Sequence, residues 1–295
     1  MILKKLKKGD LVEIAAPSSF VENEEAFISG IEIIKKWGLE INQNNILSRK
    51  CNSFSGNDEL RLKELKKVQK SKLIIFAKGG WGSARLLEER LTWGEGFMMG
   101  FSDTSSLLLS KYSQGNLGAI HGPMITTLSN EPTWSIERLK TFLFEGYLDD
   151  IYGKPIQSGI ALGEIIVSNL TIFTYLIGTD HLPDLKGKIL IFEDINEDIY
   201  KIDRMFTYLR LSKKLKDIVG LGFGSFFSKE EIGSTDKYLE NLIYDRFKDF
   251  SIPIVSNLPI GHLSGNACVP IGFNASLNGN NGTLSIKESL ESIII

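Results

Sequence analysis

Short apolar runs alternate with segments of helical periodicity over residues 1–120, and this alternation constrains the fold more than any other feature of the chain. The apolar runs predict strands at 11–16, 72–77 and 97–100, and the helical spacing predicts helices at 27–37, 57–69 and 84–91. Helices that lie between strands rich in Ile, Leu and Phe indicate a parallel sheet covered on both faces. In such a sheet, ligands bind beyond the carboxyl ends of the strands.

The pattern weakens over residues 129–158, where proline and glycine are frequent around a short helix predicted at 136–145. Alternation then resumes, with strands predicted at 159–167, 188–192, 220–226 and 252–255 and helices at 170–177 and 199–209. A chain of 295 residues is long enough for two domains. We therefore predict an N-terminal α/β domain at 1–128, a connection at 129–158 and a smaller C-terminal α/β domain at 159–295.

Composition excludes several partners and compartments. The net charge of −2 leaves no basic excess to neutralise phosphates, so we expect no nucleic-acid partner. No apolar stretch approaches the ~20 residues of a membrane span, and the start of the chain lacks the apolar core of a signal peptide. Two cysteines, Cys51 and Cys268, are too few for a disulfide framework. We expect a cytoplasmic protein that acts on a small molecule or peptide and has no membrane partner.

The segment Gly100-Phe101-Ser102-Asp103 places a serine where an apolar run ends and a helical pattern begins. Such an elbow exposes the serine side chain and directs helix amides towards it, which suits a nucleophile whose oxyanion needs backbone N–H donors. The alternative is that Ser102 only caps the helix, since serine, threonine and aspartate are preferred at a helix start.

The possible bases for such a serine are His121, His181 and His262, and none is paired with another at a metal-ligand spacing, so we expect no metal site. His262 lies in a turn-like stretch where a loop is expected, and the alternative for it is a solvated side chain. Glu193 and Asp194 directly follow an apolar strand, a position from which a carboxylate can orient a histidine. The alternative is that Asp194 or Asn196 caps the following helix.

The stretch Lys78-Gly79-Gly80-Trp81-Gly82-Ser83-Ala84-Arg85 contains three glycines, a density typical of positive φ angles or of close backbone approach. Phosphate binding is one use of such a turn. However, this turn does not read G-x-G-x-x-G, and G-x-x-x-x-G-K-[ST] occurs nowhere in the chain. The other use is to supply amides to one side of an oxyanion hole.

Taken in chain order, these segments resemble the LD-carboxypeptidase family of serine peptidases over nearly the whole chain. The matching motifs are Ala15-Ala16-Pro17-Ser18-Ser19, Gly79-Gly80-Trp81-Gly82-Ser83-Ala84-Arg85-Leu86-Leu87, Gly100-Phe101-Ser102-Asp103-Thr104, His121-Gly122-Pro123-Met124, Leu182-Pro183-Asp184-Leu185-Lys186-Gly187-Lys188-Ile189-Leu190, Phe192-Glu193-Asp194, Tyr200-Lys201-Ile202-Asp203-Arg204-Met205, Gly261-His262 and Val269-Pro270-Ile271-Gly272. Each motif is weak evidence alone, but so many in one order are hard to obtain by chance.

The resemblance implies an N-terminal flavodoxin-like domain with a parallel sheet and a C-terminal α/β domain of mixed, swivelling type. It implies a catalytic triad split between them, with Ser102 as nucleophile, His262 as base and Glu193 as the carboxylate that orients the base. The binding groups that it implies are the oxyanion-hole amides of Gly80 and Asp103 and the substrate contacts Trp81 and Asn169. It implies no metal and no organic cofactor, and it suggests a homodimer.

Departures from the family pattern bear on substrate preference. Family members usually carry arginine at the position of Lys78, tyrosine at Trp81 and glycine at Ser168, and lysine lacks the bidentate fork of arginine. The activity implied is release of terminal D-alanine from a murein tetrapeptide of lysine or diaminopimelate type, by cleavage of an L,D amide bond. Two alternatives stay open: a microcin C immunity-type peptidase that cleaves peptidyl or aminoacyl nucleotides, and a non-catalytic ligand-binding protein.

Overall fold

Two sheets flanked by helices organise the chain. The computed structural model describes residues 3–227 and 235–291. Residues 1–2, 228–234 and 292–295, which the predicted domains at 1–128 and 159–295 include, lie outside the described residues. The strands are β1 Leu11–Ala15, β2 Glu40–Asn42, β3 Leu73–Phe76, β4 Phe97–Gly100, β5 Ala119–His121, β6 Ile151–Tyr152, β7 Lys154–Gln157, β8 Ile160–Asn169, β9 Ile189–Ile195, β10 Gly220–Phe227, β11 Ile254–Ser256, β12 Val269–Pro270, β13 Asn274–Asn278 and β14 Thr283–Ile286. The helices are α1 Glu24–Lys36, α2 Asp58–Val68, α3 Ser105–Ser113, α4 Ile125–Leu128, α5 Thr133–Glu145, α6 Leu170–Leu176, α7 Ile199–Leu211 and α8 Thr235–Phe247.

The first sheet has the strand order β12-β5-β4-β3-β1-β2, and its five strands from the N-terminal half are parallel. Strands β3, β4 and β5 are buried at every residue, because alternate side chains enter two different apolar cores. This confirms the covered parallel sheet predicted from the apolar runs.

Helix α1 begins after Asn23, whose side chain accepts a hydrogen bond from the Ala26 amide at 2.9 Å.

The second sheet has the order β6-β14-β13-β8-β9-β10-β11-β7. Its four central strands, β8 to β11, are parallel, and antiparallel strands flank them, so the sheet is mixed as expected. The predicted strands omit the hairpin of β13 and β14. The turn-forming residues Asn278, Gly279 and Gly282 are the signal that would have located it.

The helix predicted at 84–91 is wrong in type and length. The structure has a 3-10 helix over Ala84–Glu88, after which the backbone becomes extended. Leu91 and Trp93 are both buried, and side chains two residues apart share a face only in extended chain. The Trp93 indole also donates a hydrogen bond to Ser110 Oγ at 3.2 Å, which fixes this extended segment against α3.

The segment at 129–158, predicted as a connection, holds α5 and the short strands β6 and β7. Its helix starts at Thr133, earlier than predicted. The buried Phe142 ring of α5 meets Phe97 of the first sheet edge-on at 6.0 Å and Phe273 of the C-terminal half at 5.7 Å. Helix α5 therefore packs on both halves of the chain.

One strand from the C-terminal half completes the first sheet. Strand β12 pairs antiparallel with β5, with Val269 opposite His121 and Pro270 opposite Ile120. Because β5 ends at His121 and β12 begins at Val269, the loop before β12 lies at the carboxyl edge of the first sheet. Ser102 follows β4 at the same edge. This pairing places the His262 loop on the side of the sheet where the serine elbow lies.

Candidate active site

Ser102 lies on a sharp elbow between β4 and α3. Its φ is +60°, a left-handed conformation that residues other than glycine rarely adopt and that is typical of a nucleophile elbow. A single 3-10 turn, Ser102–Thr104, leads from the strand into the helix. The Thr104 hydroxyl stabilises this turn by donating to the carbonyl of Phe101 at 2.8 Å.

The glycine-rich turn after β3 approaches the elbow closely. A β carbon built on Gly79 would lie 3.0 Å from Oγ of Ser102. Gly80 has a φ of +106°, and a β carbon there would lie 2.1 Å from Oγ of Ser19, in the loop after β1. Strands β1, β3 and β4 thus bring the serine elbow and the Gly79-Gly80 turn to one crevice, the arrangement predicted from the strand ends.

Asp103 fixes the elbow through its side chain. Its buried carboxylate accepts hydrogen bonds from the Ser18 hydroxyl at 2.6 Å and from the Ser83 amide at 2.9 Å. Its carbonyl accepts a third hydrogen bond, from the Ser83 hydroxyl at 2.7 Å. The three loops that follow β1, β3 and β4 are therefore tied to one carboxylate. The sequence pattern indicates a role only for the amide of Asp103, and it gives no role to Ser18 and Ser83 beyond their place in the matching motifs.

Arg61 also stabilises the loops that follow β1 and β3. The side chain is fully buried, and its guanidinium donates to the carbonyl of Pro17 and to that of Gly82, the latter at 3.1 Å. It also pairs with Asp58 and lies 4.6 Å from the centre of the Phe54 ring. A single cation thus joins α2 to the loops after β1 and β3. No local sequence pattern distinguishes Arg61 from the exposed lysines around it.

His262 and Glu193 form the other half of the site. Glu193, near the end of β9, is fully buried, and its Oε2 lies 2.6 Å from Nδ1 of His262. The residue before the histidine, Gly261, has a φ of +111°, and a β carbon there would lie 2.7 Å from the same oxygen. Only glycine allows the histidine loop to approach the carboxylate this closely.

The hydrogen bond between Glu193 and His262 sets the electrostatics of the histidine. Burial alone would lower the pKa of His262, but the charge of Glu193 and its hydrogen bond outweigh burial, so the pKa lies above its ordinary value. The charge of Asp194 acts in the same direction. Since Nδ1 is bound by Glu193, Nε2 is the ring nitrogen left to accept a proton from another group.

Phe101, the residue before Ser102, joins the two halves of the site. Its ring centre lies 4.8 Å from that of His262 and 5.7 Å from that of His121. The chain therefore brings the histidine loop against the residue that adjoins the serine. A cavity of about 320 Å³ opens here, lined by Phe101, His262 and residues of the segment between α4 and α5.

The two predicted substrate contacts differ in exposure. Trp81 exposes 56% of its surface and meets Phe54 edge-on at 5.7 Å. Asn169 is buried, and both ends of its side chain are bound within the protein: Oδ1 caps α6 by accepting from the Ile172 amide at 3.1 Å, and Nδ2 donates to Asp194 at 2.9 Å. Burial and the neighbouring charge of Glu193 raise the pKa of Asp194 to about 6, although hydrogen bonds from Asn169, Thr171 and the Ile195 amide act in the opposite direction.

Residues 3–227 and 235–291 contain no group of three or more His, Cys, Asp or Glu side chains arranged to hold a metal ion. Within the same ranges, no helix has both the length and the apolar character needed to cross a membrane. Cys51 is exposed and Cys268 is buried, and both are free thiols.

Comparison with known proteins identifies the family. The model of the LD-carboxypeptidase N-terminal domain matches residues 12–122, and the model of the LD-carboxypeptidase C-terminal domain matches residues 162–277. The sequence is 35% identical to a putative carboxypeptidase of Synechocystis over 95% of each protein. The chain belongs to the LD-carboxypeptidase family. It is a serine carboxypeptidase, which sets aside the alternative of a non-catalytic ligand-binding protein.

Two further comparisons bear on this LD-carboxypeptidase. It is 27% identical to the murein tetrapeptide carboxypeptidase of Pseudomonas aeruginosa, over 91% of this chain and 93% of that protein. The solved structure of the microcin C7 self-immunity protein MccF in complex with aspartyl sulfamoyl adenosine superposes with a TM-score of 0.87 at 20% identity, covering 98% of this chain and 99% of MccF. At that identity the likeness shows the fold alone, and it confirms the expected two-part α/β architecture.

Proposed function

We propose that this LD-carboxypeptidase releases the terminal D-alanine of a murein tetrapeptide by cleaving the L,D amide bond next to the free carboxylate. The observation that carries the proposal is the 2.6 Å contact between His262 and the buried Glu193, together with the packing of the His262 ring on Phe101, the residue before Ser102. The murein tetrapeptide carboxypeptidase among its relatives supports the choice of substrate.

In the proposed acylation step, Oγ of Ser102 attacks the carbonyl carbon of the scissile bond while Nε2 of His262 takes the hydroxyl proton. Glu193 keeps the imidazole in the tautomer with hydrogen on Nδ1 and stabilises the imidazolium that forms. The amides of Gly80 and Asp103 donate to the oxyanion, and each such donor contributes on the order of 3 kcal/mol to transition-state stabilisation.

The tetrahedral intermediate then collapses. The bond to the D-alanine nitrogen breaks, His262 passes its proton to this leaving amine, and the rest of the peptide stays on Ser102 as an ester. A water molecule, deprotonated by the same histidine, attacks the ester and restores the serine hydroxyl. Trp81, on the Gly80 turn, and Asn169, at the end of β8, are the proposed contacts to the peptide.

We also propose that the enzyme works as a homodimer in the cytoplasm. Two free thiols, one of them exposed, suit a reducing compartment.

The proposal of a dimer rests on the family resemblance, and light scattering of the purified protein tests it by measuring the molar mass in solution. A mass equal to that of one chain would contradict it.

The test is mass-spectrometric detection of D-alanine released from purified murein tetrapeptides of the lysine and diaminopimelate types. Ser102→Ala and His262→Ala are expected to abolish release. Ser113→Ala is the matched control, because its hydroxyl only donates to the Ser110 carbonyl at 3.0 Å near the end of α3. Release that persists in Ser102→Ala would contradict the nucleophile, and no release by the wild type would contradict the substrate.

A second candidate function is cleavage of aminoacyl nucleotides. It is supported by the fold shared with the microcin C7 self-immunity protein, whose structure holds aspartyl sulfamoyl adenosine. Incubation of the wild type with that compound and with a murein tetrapeptide at equal concentration separates the two. Faster cleavage of the nucleotide compound would replace the murein assignment and leave the proposed triad in place.

A further inference from the structure

Behind the Glu193–His262 pair lies a group of polar side chains, all buried except the half-buried Ser225, that the proposed mechanism leaves unused. We define the inner polar cluster as His121, Asn266, Ser225 and the second carboxylate oxygen of Glu193. His121 and Glu193 are fully buried, and Asn266 exposes 1% of its surface. Such groups are costly to bury unless they are hydrogen-bonded, so their position beside a proposed catalytic pair requires an explanation.

Close contacts connect the members of the cluster. A β carbon built on Gly261 would lie 2.7 Å from Oε2 of Glu193 and 2.8 Å from Oγ of Ser225, so both groups surround this glycine. The Gly261 amide donates to Oδ1 of Asn266 at 2.9 Å, and the Asn266 side chain lies beside the His121 ring. The cluster thus extends from β5 of the first sheet to β9 and β10 of the second.

Five polar atoms of the cluster make no hydrogen bond of normal geometry with any described residue. They are Nδ1 and Nε2 of His121, Nδ2 of Asn266, Oγ of Ser225 and Oε1 of Glu193. The carboxylate oxygen only accepts, the amide nitrogen only donates, and the imidazole and hydroxyl do both. A buried water makes about three hydrogen bonds to groups of this kind, so the chemistry of the cluster fits one internal water.

His121 enters this cluster as a neutral ring. Burial is the largest influence on it and lowers the pKa of His121 to about 4, although the charge of Glu193 and the Asn266 side chain oppose the effect. At neutral pH one of its nitrogens is therefore a donor and the other an acceptor. The titratable groups near His262 are Glu193 and Asp194 from β9, His121, which contacts the same Phe101 ring, and Glu131 on the wall of the neighbouring cavity.

We propose that His121 is a positioning residue of the triad, donating through an internal water shared with Asn266 and Ser225 to Oε1 of Glu193. This hydrogen bond holds the carboxylate with Oε2 towards His262 and withdraws part of its negative charge. Loss of the donor leaves Glu193 a stronger partner for the imidazolium, so the pKa of His262 rises. The inference rests on the proposed triad and adds no group that touches the substrate.

The test is a pH titration of the histidine rings by NMR in protein labelled with nitrogen-15 histidine. The chain has only 3 histidines, and His262→Asn assigns the signal of interest. In His121→Leu, which removes both nitrogens at similar volume, the His262 midpoint is expected to rise by about half a pH unit or more. In the activity assay, the acid limb of kcat/KM moves up with it, and kcat falls while KM stays. His121→Gln, which keeps an amide donor, returns the midpoint towards the wild-type value.

Ser225→Ala serves as a second variant, because it removes one hydroxyl of the cluster and leaves the His121 ring in place. A smaller upward shift of the His262 midpoint is expected. A midpoint that is unchanged or lower in the folded variants would overturn the proposal, even if their thermal stability falls, since a purely structural His121 predicts that result. The NMR titration needs no substrate, so a protein inactive on murein peptides would refute the proposed function while the shift still decides the inference.

Discussion

The serine side and the histidine side of this active site are held in place by different means. Around Ser102, Asp103 and the buried Arg61 connect three loops through several hydrogen bonds, and the backbone itself sets the elbow. Around His262, one 2.6 Å contact to Glu193 orients the ring, and the other oxygen of that carboxylate has no partner among the described residues. The serine side is therefore supported redundantly, whereas the histidine side depends on one charge. Substitution of the supporting side chains should cost mainly stability on the first side and mainly chemistry on the second.

The strongest test of this contrast is Glu193→Gln. The carboxylate that fixes the His262 tautomer is lost, so we expect kcat to fall by about 10³–10⁴-fold, the effect of removing such a charge from a triad. The charge of Glu193 no longer raises the pKa of His262, while burial still lowers it and only the weaker charge of Asp194 opposes burial, so the acid limb of kcat/KM shifts to lower pH. Stopped-flow or steady-state kinetics measure both effects over roughly pH 4–9, the range in which histidine titrates.

Glu288→Gln is the matched control, since its carboxylate binds the Asn274 amide at 2.9 Å and contacts no residue of the site. It is expected to leave both kcat and the acid limb unchanged. Glu193→Gln with near wild-type kcat would show that the histidine does not depend on this charge, and the contrast between the two sides would be lost.

The next largest effect is expected on the serine side, from Gly80→Ala. The new β carbon would meet Oγ of Ser19 at 2.1 Å, and the φ of +106° is strained for alanine. The turn must shift, and its amide moves away from the oxyanion, so kcat is expected to fall by about 10²-fold with little change in the acid limb.

The double variant Ser19→Gly with Gly80→Ala separates the two causes. Removing the Ser19 side chain relieves the collision, so part of the lost kcat should return, while the backbone strain persists. Equal kcat in the single and double variants would show that the φ angle, and not the contact with Ser19, determines where the turn lies.

Asp103→Ala is expected to cost stability more than chemistry. The Ser18 hydroxyl and the Ser83 amide lose their buried acceptor, and each unpaired group costs about 1–3 kcal/mol of the free energy of unfolding. The backbone amide remains, so kcat of the folded fraction falls by about tenfold or less, well short of the loss of an oxyanion donor. Urea unfolding gives the first quantity and kinetics give the second.

Asp184→Ala is the control for that experiment, because its carboxylate accepts only from the exposed Lys186 amide at 3.1 Å. Stability equal in the two variants would mean that the elbow does not need the Asp103 carboxylate. The redundancy attributed to the serine side would then come from Arg61 and the backbone alone.

The sequence predicts the serine side of the site better than the histidine side. The first sheet and the Ser102 elbow are encoded locally, in apolar runs and in the serine that follows one of them. The contact of Glu193 with His262 joins residues 69 positions apart, and no local pattern specifies it, so it came from the family resemblance. Arg61 was missed because a helix rich in lysine and arginine predicts exposure, whereas its burial is decided by loops distant in sequence. Strand β12 was missed because two residues are too few to show periodicity.

The smallest effect is expected from Trp81→Ala, at an exposed position of the glycine-rich turn on the serine side. The ring is largely exposed and contacts Phe54 at its edge, so truncation should change the free energy of unfolding by no more than about 0.5 kcal/mol. As a proposed substrate contact, the ring adds apolar area to the bound peptide in ground and transition states alike, so KM rises several-fold while kcat is unchanged. Trp81→Tyr, which keeps an aromatic ring at this position, should restore KM. A fall in kcat without a change in KM would instead show that Trp81 positions the Gly80 turn and does not bind the peptide. The residues that hold the serine side in place would then include one at the protein surface.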